Sequence, residues 1–204
     1  DLKYSAMVLW RDRAITAVVV VMLALGIGAN AAMFGIVDRL LLQGPAGVRE
    51  PERTVRFFMT ADVPGIGEFT TGTFGYATYL ALQPSRKLAG VAAWSSSENT
   101  LGRGDRARTV EVGAATFDYF SLLGVAPLRG RTWTREEDDP AGAQALAVLD
   151  YGLWRSEFGA DDGVLGREIV LGGRPFTVIG VMPEGFTGAG LSRVDVWVPM
   201  SIRS

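Results

Sequence analysis

The chain has 204 residues, 48% hydrophobic and 21% charged, a formal charge of -2, and neither cysteine nor histidine. Without cysteine there are no disulfides and no thiolate chemistry. Without histidine the usual general base and the commonest zinc ligand are gone, which excludes most familiar hydrolase and metalloenzyme mechanisms. The near-neutral charge leaves no electrostatic footprint for nucleic acid. The length suffices for one membrane helix plus a domain of about 160 residues. The sequence begins at Asp1 without an initiator methionine and reads as a piece of a longer protein.

Taken in order, Leu2, Ala6, Leu9 and Trp10 share one helical face, which predicts an amphipathic membrane-surface segment over 1–13 with Trp10 at the interface. Ala14–Val37 follows, uncharged, with Thr16 and Asn30 its only polar side chains. As a helix it is about 36 Å long, enough to cross a hydrocarbon core of about 30 Å. Charged residues stand on both sides: Arg11, Asp12 and Arg13 before it, Asp38 and Arg39 after it. A transmembrane helix over 14–42 is the reading these features favour. Small residues four apart, Ala24, Gly28 and Ala32, give that helix a face on which another helix can pack closely. The Arg11/Arg13 flank favours an inside N-terminus, although basic residues before and after the span nearly balance.

Three other readings of this stretch stay open. Ala29-Asn30-Ala31 has the look of a signal-peptide cleavage site, but the apolar run continues beyond it. Gly26-Ile27-Gly28-Ala29-Asn30-Ala31 matches the dinucleotide fingerprint, with Glu50 about 20 residues further on, and would imply an oxidoreductase. A buried helix of a soluble core is the last, and a helix apolar on every face is rare there.

Residues 43–52, rich in glycine and proline, read as a linker, and 53–204 as one mixed α+β domain. Strands are expected at Arg53–Met59, Leu88–Trp94, Arg106–Ala114, Ala143–Leu149 and Val194–Val198. Ala61–Gly72 and Ser95–Asn99 read as loops. Short helices are expected at Phe74–Gln83, at Phe117–Leu123 capped by Thr116 and stopped by Gly124, and at Tyr151–Phe158 capped by Asp150. Thr134 and Glu137 have capping-box spacing. Arg167–Leu171 and Pro175–Val181 make a hairpin around Gly172-Gly173. Gly130 and Gly166 mark further tight turns. Phe117, Phe120, Trp154, Phe158 and Phe176 are expected in the core, with Trp94, Trp133 and Trp197 as anchors.

No catalytic constellation emerges. Glu136-Glu137-Asp138-Asp139 lacks the alternating donors and glycine of a calcium loop and reads, like Asp161-Asp162, as a solvated turn. Ser95-Ser96-Ser97 has no base to activate it; Lys87 is the single lysine after the span. Arg103-Gly104-Asp105 reads as a turn between strands. Catalytic, cofactor and metal residues are therefore all expected to be absent, and Ala24, Gly28 and Ala32 are the candidate functional residues.

The stretches ALGIGANAAMFGIVDRLLL (Ala24–Leu42), FDYFSLLGVAPLRGRTWTREED (Phe117–Asp138) and YGLWRSEFGADDGVLGREIVLGGRPFTVIGVMPEGF (Tyr151–Phe186) together resemble one family. They are similar to the first membrane helix and periplasmic core domain of MacB-like, FtsX-type ABC transporter permeases, especially orphan members without a fused ATPase. The resemblance implies a non-catalytic extracytoplasmic domain in the bacterial inner membrane, relaying ATP-driven motion to a substrate or periplasmic partner protein in efflux or export. It implies a homodimeric permease in the lipid bilayer, a separate cytoplasmic ATPase that uses the ATP, and no cofactor in this chain. No nucleotide-binding G-x-x-x-x-G-K-[ST] is present, and the sequence ends at Ser204, where a return helix is expected. The competing expectation is a membrane-anchored or secreted binding module acting alone.

Overall fold

The computed structural model describes residues 13–37 and 53–203, apart from Ile66 and Leu191. The expected surface segment with Leu2 and Trp10, the end of the span at 38–42 and the linker 43–52 lie outside the described residues. The chain divides into two compact units, Asp1–Gly44 and Pro45–Ser204.

In the first unit, helix α1 runs unbroken from Arg13 to Val37. Its large apolar side chains are exposed all round, for example Met22 at 68% and Phe34 at 70%. That overturns the reading as a buried core helix. Gly26 and Gly28 lie in the middle of this helix and are preceded by thirteen of its residues, so the strand–turn–helix a dinucleotide site requires is not formed around them.

The second unit opens with a two-stranded antiparallel ribbon, β1 (Met59–Val63) and β2 (Gly67–Thr71). The sequence placed a strand at Arg53–Met59 and a loop at Ala61–Gly72. The apolar run finds no partner strand, whereas Gly65 and Gly67 take positive φ, 86° and 89°, and turn the chain back just after it. Thr60 and Thr70 face each other across the ribbon with hydroxyls 2.8 Å apart. Helix α2 (Tyr76–Leu82) follows where expected and buries Tyr79.

Strand β3 (Trp94–Leu101) pairs along its whole length with β4 (Arg108–Ala115). Ser95–Asn99 is therefore strand, and Leu88–Ala93, expected as strand, is not. Ser95 to Thr100 is polar on both faces, so β3 lacks the alternation that marks a strand, and its pairing with β4 is not legible in local composition. The 3-10 turn Gly104–Arg106 joins the two strands, as Arg103-Gly104-Asp105 suggested.

Helix α3 (Tyr119–Leu122) is shorter than expected, and Thr116 does not cap it. Its hydroxyl instead donates to Asp118 Oδ1 at 2.6 Å and accepts from Ala93 N–H at 3.0 Å. A short β5 (Arg129–Gly130) comes next. The Thr134–Glu137 box then closes reciprocally: Thr134 N–H donates to Glu137 Oε2 at 2.9 Å and Glu137 N–H to Thr134 Oγ1 at 3.4 Å.

Strand β6 (Leu146–Leu149) leads to α4 (Tyr151–Phe158), whose first N–H groups, Gly152 and Leu153, donate to Asp150 Oδ2 at 2.8 and 3.3 Å. Strands β7 (Glu168–Leu171) and β8 (Arg174–Val181) form the expected hairpin. Gly172 and Gly173 both take positive φ, 56° and 81°, the signature of a type I′ turn. Strand β9 (Val196–Pro199) and a 3-10 turn, Met200–Arg203, complete the domain.

The strands close on themselves. Strand β8 pairs with β6, β6 with β9, β9 with β4, β4 with β3, and β7 with both β3 and β8; β5 adds to the end of β8. The last gap is sealed at Leu101 and Leu171, where Gly102 N–H donates to Val170 O and Gly172 N–H to Thr100 O, each at 2.9 Å. The result is a six-stranded barrel of mixed pairing, parallel at β6/β8 and β4/β9. Closure leaves few free strand edges.

Two cores share the central strands. Val112, Ala114, Leu149, Ile169, Phe176 and Val178 form one with Leu153 and Trp154 of α4. Leu146, Val148 and Trp197 face the other way and pack with Tyr119 and Phe120 of α3, Trp133, Met182 and Phe186. Strands β6 and β9 are therefore buried on both faces and read as continuous apolar runs. Of the aromatic residues expected inside, Phe120, Trp133, Trp154, Phe176 and Trp197 are buried, while Trp94, Phe117 and Phe158 are half-buried.

Candidate functional site

On α1, Ala24, Gly28 and Ala32 keep helical spacing, so they share a face, and nothing lies within 4 Å of a Cβ built at Gly28. Helix α1 is the one described helix long and apolar enough to cross a membrane, with mean hydropathy 2.2 over Arg13–Gly35.

In the barrel domain the chemistry-bearing side chains are spent on structure. Among the described residues, no three acidic side chains are grouped to hold a metal ion. The acidic run Glu136–Asp139 is a turn, as expected, and exposed at Glu136 and Asp139, but its middle two carboxylates are tied into the domain. Glu137 accepts from both guanidinium nitrogens of Arg131 at 2.7 and 2.8 Å, which holds its carboxyl below the usual range. Asp138 is 5% exposed and accepts from Phe117 N–H and Ser201 N–H, both at 3.0 Å. Asp161 accepts from Gly163 N–H at 2.9 Å, and its carbonyl accepts from Trp154 Nε1.

A second polar knot ties α2 to α3. Tyr79 donates its hydroxyl to Asp118 Oδ2 at 3.2 Å, and Gln83 Nε2 donates to the Tyr79 oxygen. Burial pushes the Tyr79 phenol well up, and the neighbouring Asp118 charge adds to it. Tyr119 is pushed up to about 12 by burial, while Ala189 N–H donates to its oxygen at 2.8 Å. Both phenols thus stay protonated and serve as hydrogen-bonding groups. Sequence reasoning missed both knots. Their long-range ties join residues 21 to 70 apart in the chain, and no local spacing signals them.

A cleft of about 560 Å³ lies beside the start of α4; Arg193 there is paired with Asp150, and Arg155 and Glu184 are on its walls. A smaller cavity of 140 Å³ at the β7–β8 turn is lined by Val112, Leu171, Phe176 and Ile202. Exposed apolar side chains include Phe57, Phe58, Met59 and Phe69 on the ribbon and just before it, Leu80 of α2, and Leu122, Leu128 and Leu165 elsewhere in the domain. Arg56 lies over the Phe58 ring at 5.4 Å.

The sequence matches the model of the MacB-like periplasmic core domain over residues 16–204, and the chain belongs to that family. It carries, accordingly, the periplasmic domain of a MacB-like ABC transporter permease, a non-catalytic part of that machine.

Among solved structures, the periplasmic region of MacB from Actinobacillus actinomycetemcomitans is 25% identical with a TM-score of 0.53, over 63% of this chain and 56% of that one. The extracellular domain of the noncanonic ABC-type transporter YknZ from Gram-positive bacteria shares the fold, at 19% identity and a TM-score of 0.53, over 63% of this chain and 64% of that one. Among curated relatives, the macrolide export ATP-binding/permease protein MacB of Chromobacterium violaceum is 34% identical over 100 residues, 47% of this chain. That match spans 15% of the relative's length.

Proposed function

We propose that the chain is the non-catalytic, membrane-anchored extracytoplasmic part of a MacB- and FtsX-like permease. It relays ATP-driven motion to a substrate or a partner protein in efflux or export. In this reading α1 crosses the bacterial inner membrane and the barrel domain stands on the periplasmic side. The ATP is bound by a separate cytoplasmic ATPase, no cofactor is held in this chain, and the complete permease is a homodimer. The observation that carries the reading is the reach of the family match. It starts at residue 16, inside α1, so the apolar helix and the domain belong to one inherited unit.

The physics agrees with such a role. A relay needs a body that moves as a whole, and a barrel whose central strands are buried on both faces resists deformation. It also needs a membrane helix that grips its neighbours, which small residues at Ala24, Gly28 and Ala32 permit through close backbone approach. Gly28→Leu, in the complete permease, is expected to lower inter-helix crosslinking severalfold while the barrel domain keeps its near-ultraviolet circular dichroism. Unchanged crosslinking would remove these residues from the packing face. The relay itself is read by crosslinks between paired cysteines engineered on the two barrel domains of the complete transporter. Their yield is expected to change on addition of ATP, and a yield indifferent to ATP argues against the relay.

A further inference from the structure

The first core is not filled to its end. Where β3, β4, β7, β8 and β9 converge beside the β7–β8 turn, it leaves the cavity of about 140 Å³. The floor of this cavity is apolar, made by Val112, Leu171, Phe176, Val198 and Ile202. Ile202 is half-buried and the other four are at most 5% exposed.

The rim is polar, and strand register puts the polar side chains there. Ser97 and Asn99 pair with Val112 and Val110, and residues directly opposite each other project from the same face of a sheet. Both valines belong to the first core, so Ser97 and Asn99 stand on the core-facing side of β3. Arg174 is opposite Leu171 and two residues before Phe176, which places it on the core-facing side of β8. Positions that pack a core ordinarily carry apolar side chains. All three also line the cavity.

These groups are not spent on structure. Among the described residues, the Ser97 hydroxyl and the Arg174 guanidinium have no hydrogen-bond or ion-pair partner. Asn99 accepts Thr100 N–H on its Oδ1 at 2.8 Å, which leaves its Nδ2 donors unused. The rim therefore offers a hydroxyl, an amide and one cation, all able to donate, above an apolar floor.

We propose that this end of the barrel binds a small monocarboxylic acid with a compact apolar body, of the size of benzoate or isovalerate. The volume sets the body: an apolar cavity of about 150 Å³ accepts a benzene ring. The rim sets the head group. One guanidinium with its fork of donors matches the two oxygens and single charge of a carboxylate. A phosphate ester carries more charge than one arginine balances. Mouths of β-barrels are common places for sites of this kind, with an apolar lining and a few polar groups that fix orientation. The inference stands on the barrel domain alone and does not depend on the permease reading.

The test is a titration of the full chain, isotope-labelled at its methyl groups and held in detergent micelles at neutral pH. Sodium benzoate is the probe, and benzamide, its uncharged isostere, is titrated separately. Saturable shifts are expected at the methyls of Val112, Leu171, Val198 and Ile202, with a dissociation constant for benzoate on the order of 1 mM, as suits so small a ligand. Benzamide should bind about tenfold more weakly, because it lacks the charge that Arg174 meets. Arg174→Gln, at the exposed end of the hairpin, should abolish that preference. Ser97→Leu, which puts an apolar side chain across the rim, should weaken both ligands at least tenfold. Shifts that fail to saturate, or that appear on α1 and not at these methyls, overturn the site. Equal binding of benzoate and benzamide to the unaltered chain, or a preference that survives Arg174→Gln, overturns the carboxylate assignment.

Discussion

Trp197→Ala is expected to destabilise the barrel domain by about 3–5 kcal/mol, a large part of the roughly 5–15 kcal/mol that holds a domain folded. Trp197 is fully buried at the centre of the second core. Its ring lies 5.2 Å from Tyr119, 5.5 Å from Phe120 and 5.9 Å from Phe186, centroid to centroid. Each such pair adds about 0.5–1.5 kcal/mol beyond the area it buries. The site cannot collapse onto a smaller residue, because Gly113 and Gly188 are the neighbours that make room for the indole. A Cβ built on either would come within 2.8 Å of its ring carbons. Urea unfolding of the full chain in micelles, followed by far-ultraviolet circular dichroism, reads the effect as a lowered midpoint. A loss under about 1 kcal/mol, ordinary for a surface site, would contradict the central place given to Trp197.

Gly130→Ala is the second large effect, about 3 kcal/mol or more. Gly130 sits at φ 67°, and a Cβ there would fall on the Ile179 carbonyl oxygen, with the Leu165 side chain close behind. That carbonyl already accepts Arg131 N–H at 2.9 Å, so it is fixed by the pairing of β5 with β8. The two nearest clashing atoms, the Ile179 carbonyl oxygen and carbon, are main chain and cannot rotate away. Gly159→Ala is the control. Gly159 has a similar φ of 62° but open space around it, so only the left-handed backbone penalty of about 1 kcal/mol applies. Equal losses in the two variants would show that the close approach at Gly130 contributes nothing.

The elements legible in the sequence were those with local causes. The uncharged run from Ala14 gave α1, Asp150 gave the start of α4, and Gly172-Gly173 gave the β7–β8 turn. The errors share a different cause. Ser95–Asn99 looks like a loop because it is polar on both faces, and only pairing with β4, across a turn, makes it a strand. Arg53–Phe58 looks like a strand but pairs with no strand among the described residues. Thr116 has the identity of a cap, yet its hydroxyl is taken by Asp118 and Ala93. Asp138 looks like one of four solvated acids and is buried by contacts 21 and 63 residues away. Barrel closure depends on β7 meeting both β3 and β8, a register that no local pattern encodes.

The central claim is that α1 stays in the membrane and holds the barrel domain outside the cytoplasm. It is tested by expressing the tagged full chain in a Gram-negative host, washing the membranes at alkaline pH, and measuring intact mass and protease access from the periplasmic side. The account predicts an uncleaved chain retained in the membrane, with its barrel domain open to periplasmic protease. A shorter, soluble product cut after Ala31 would contradict it and leave a secreted binding domain in its place.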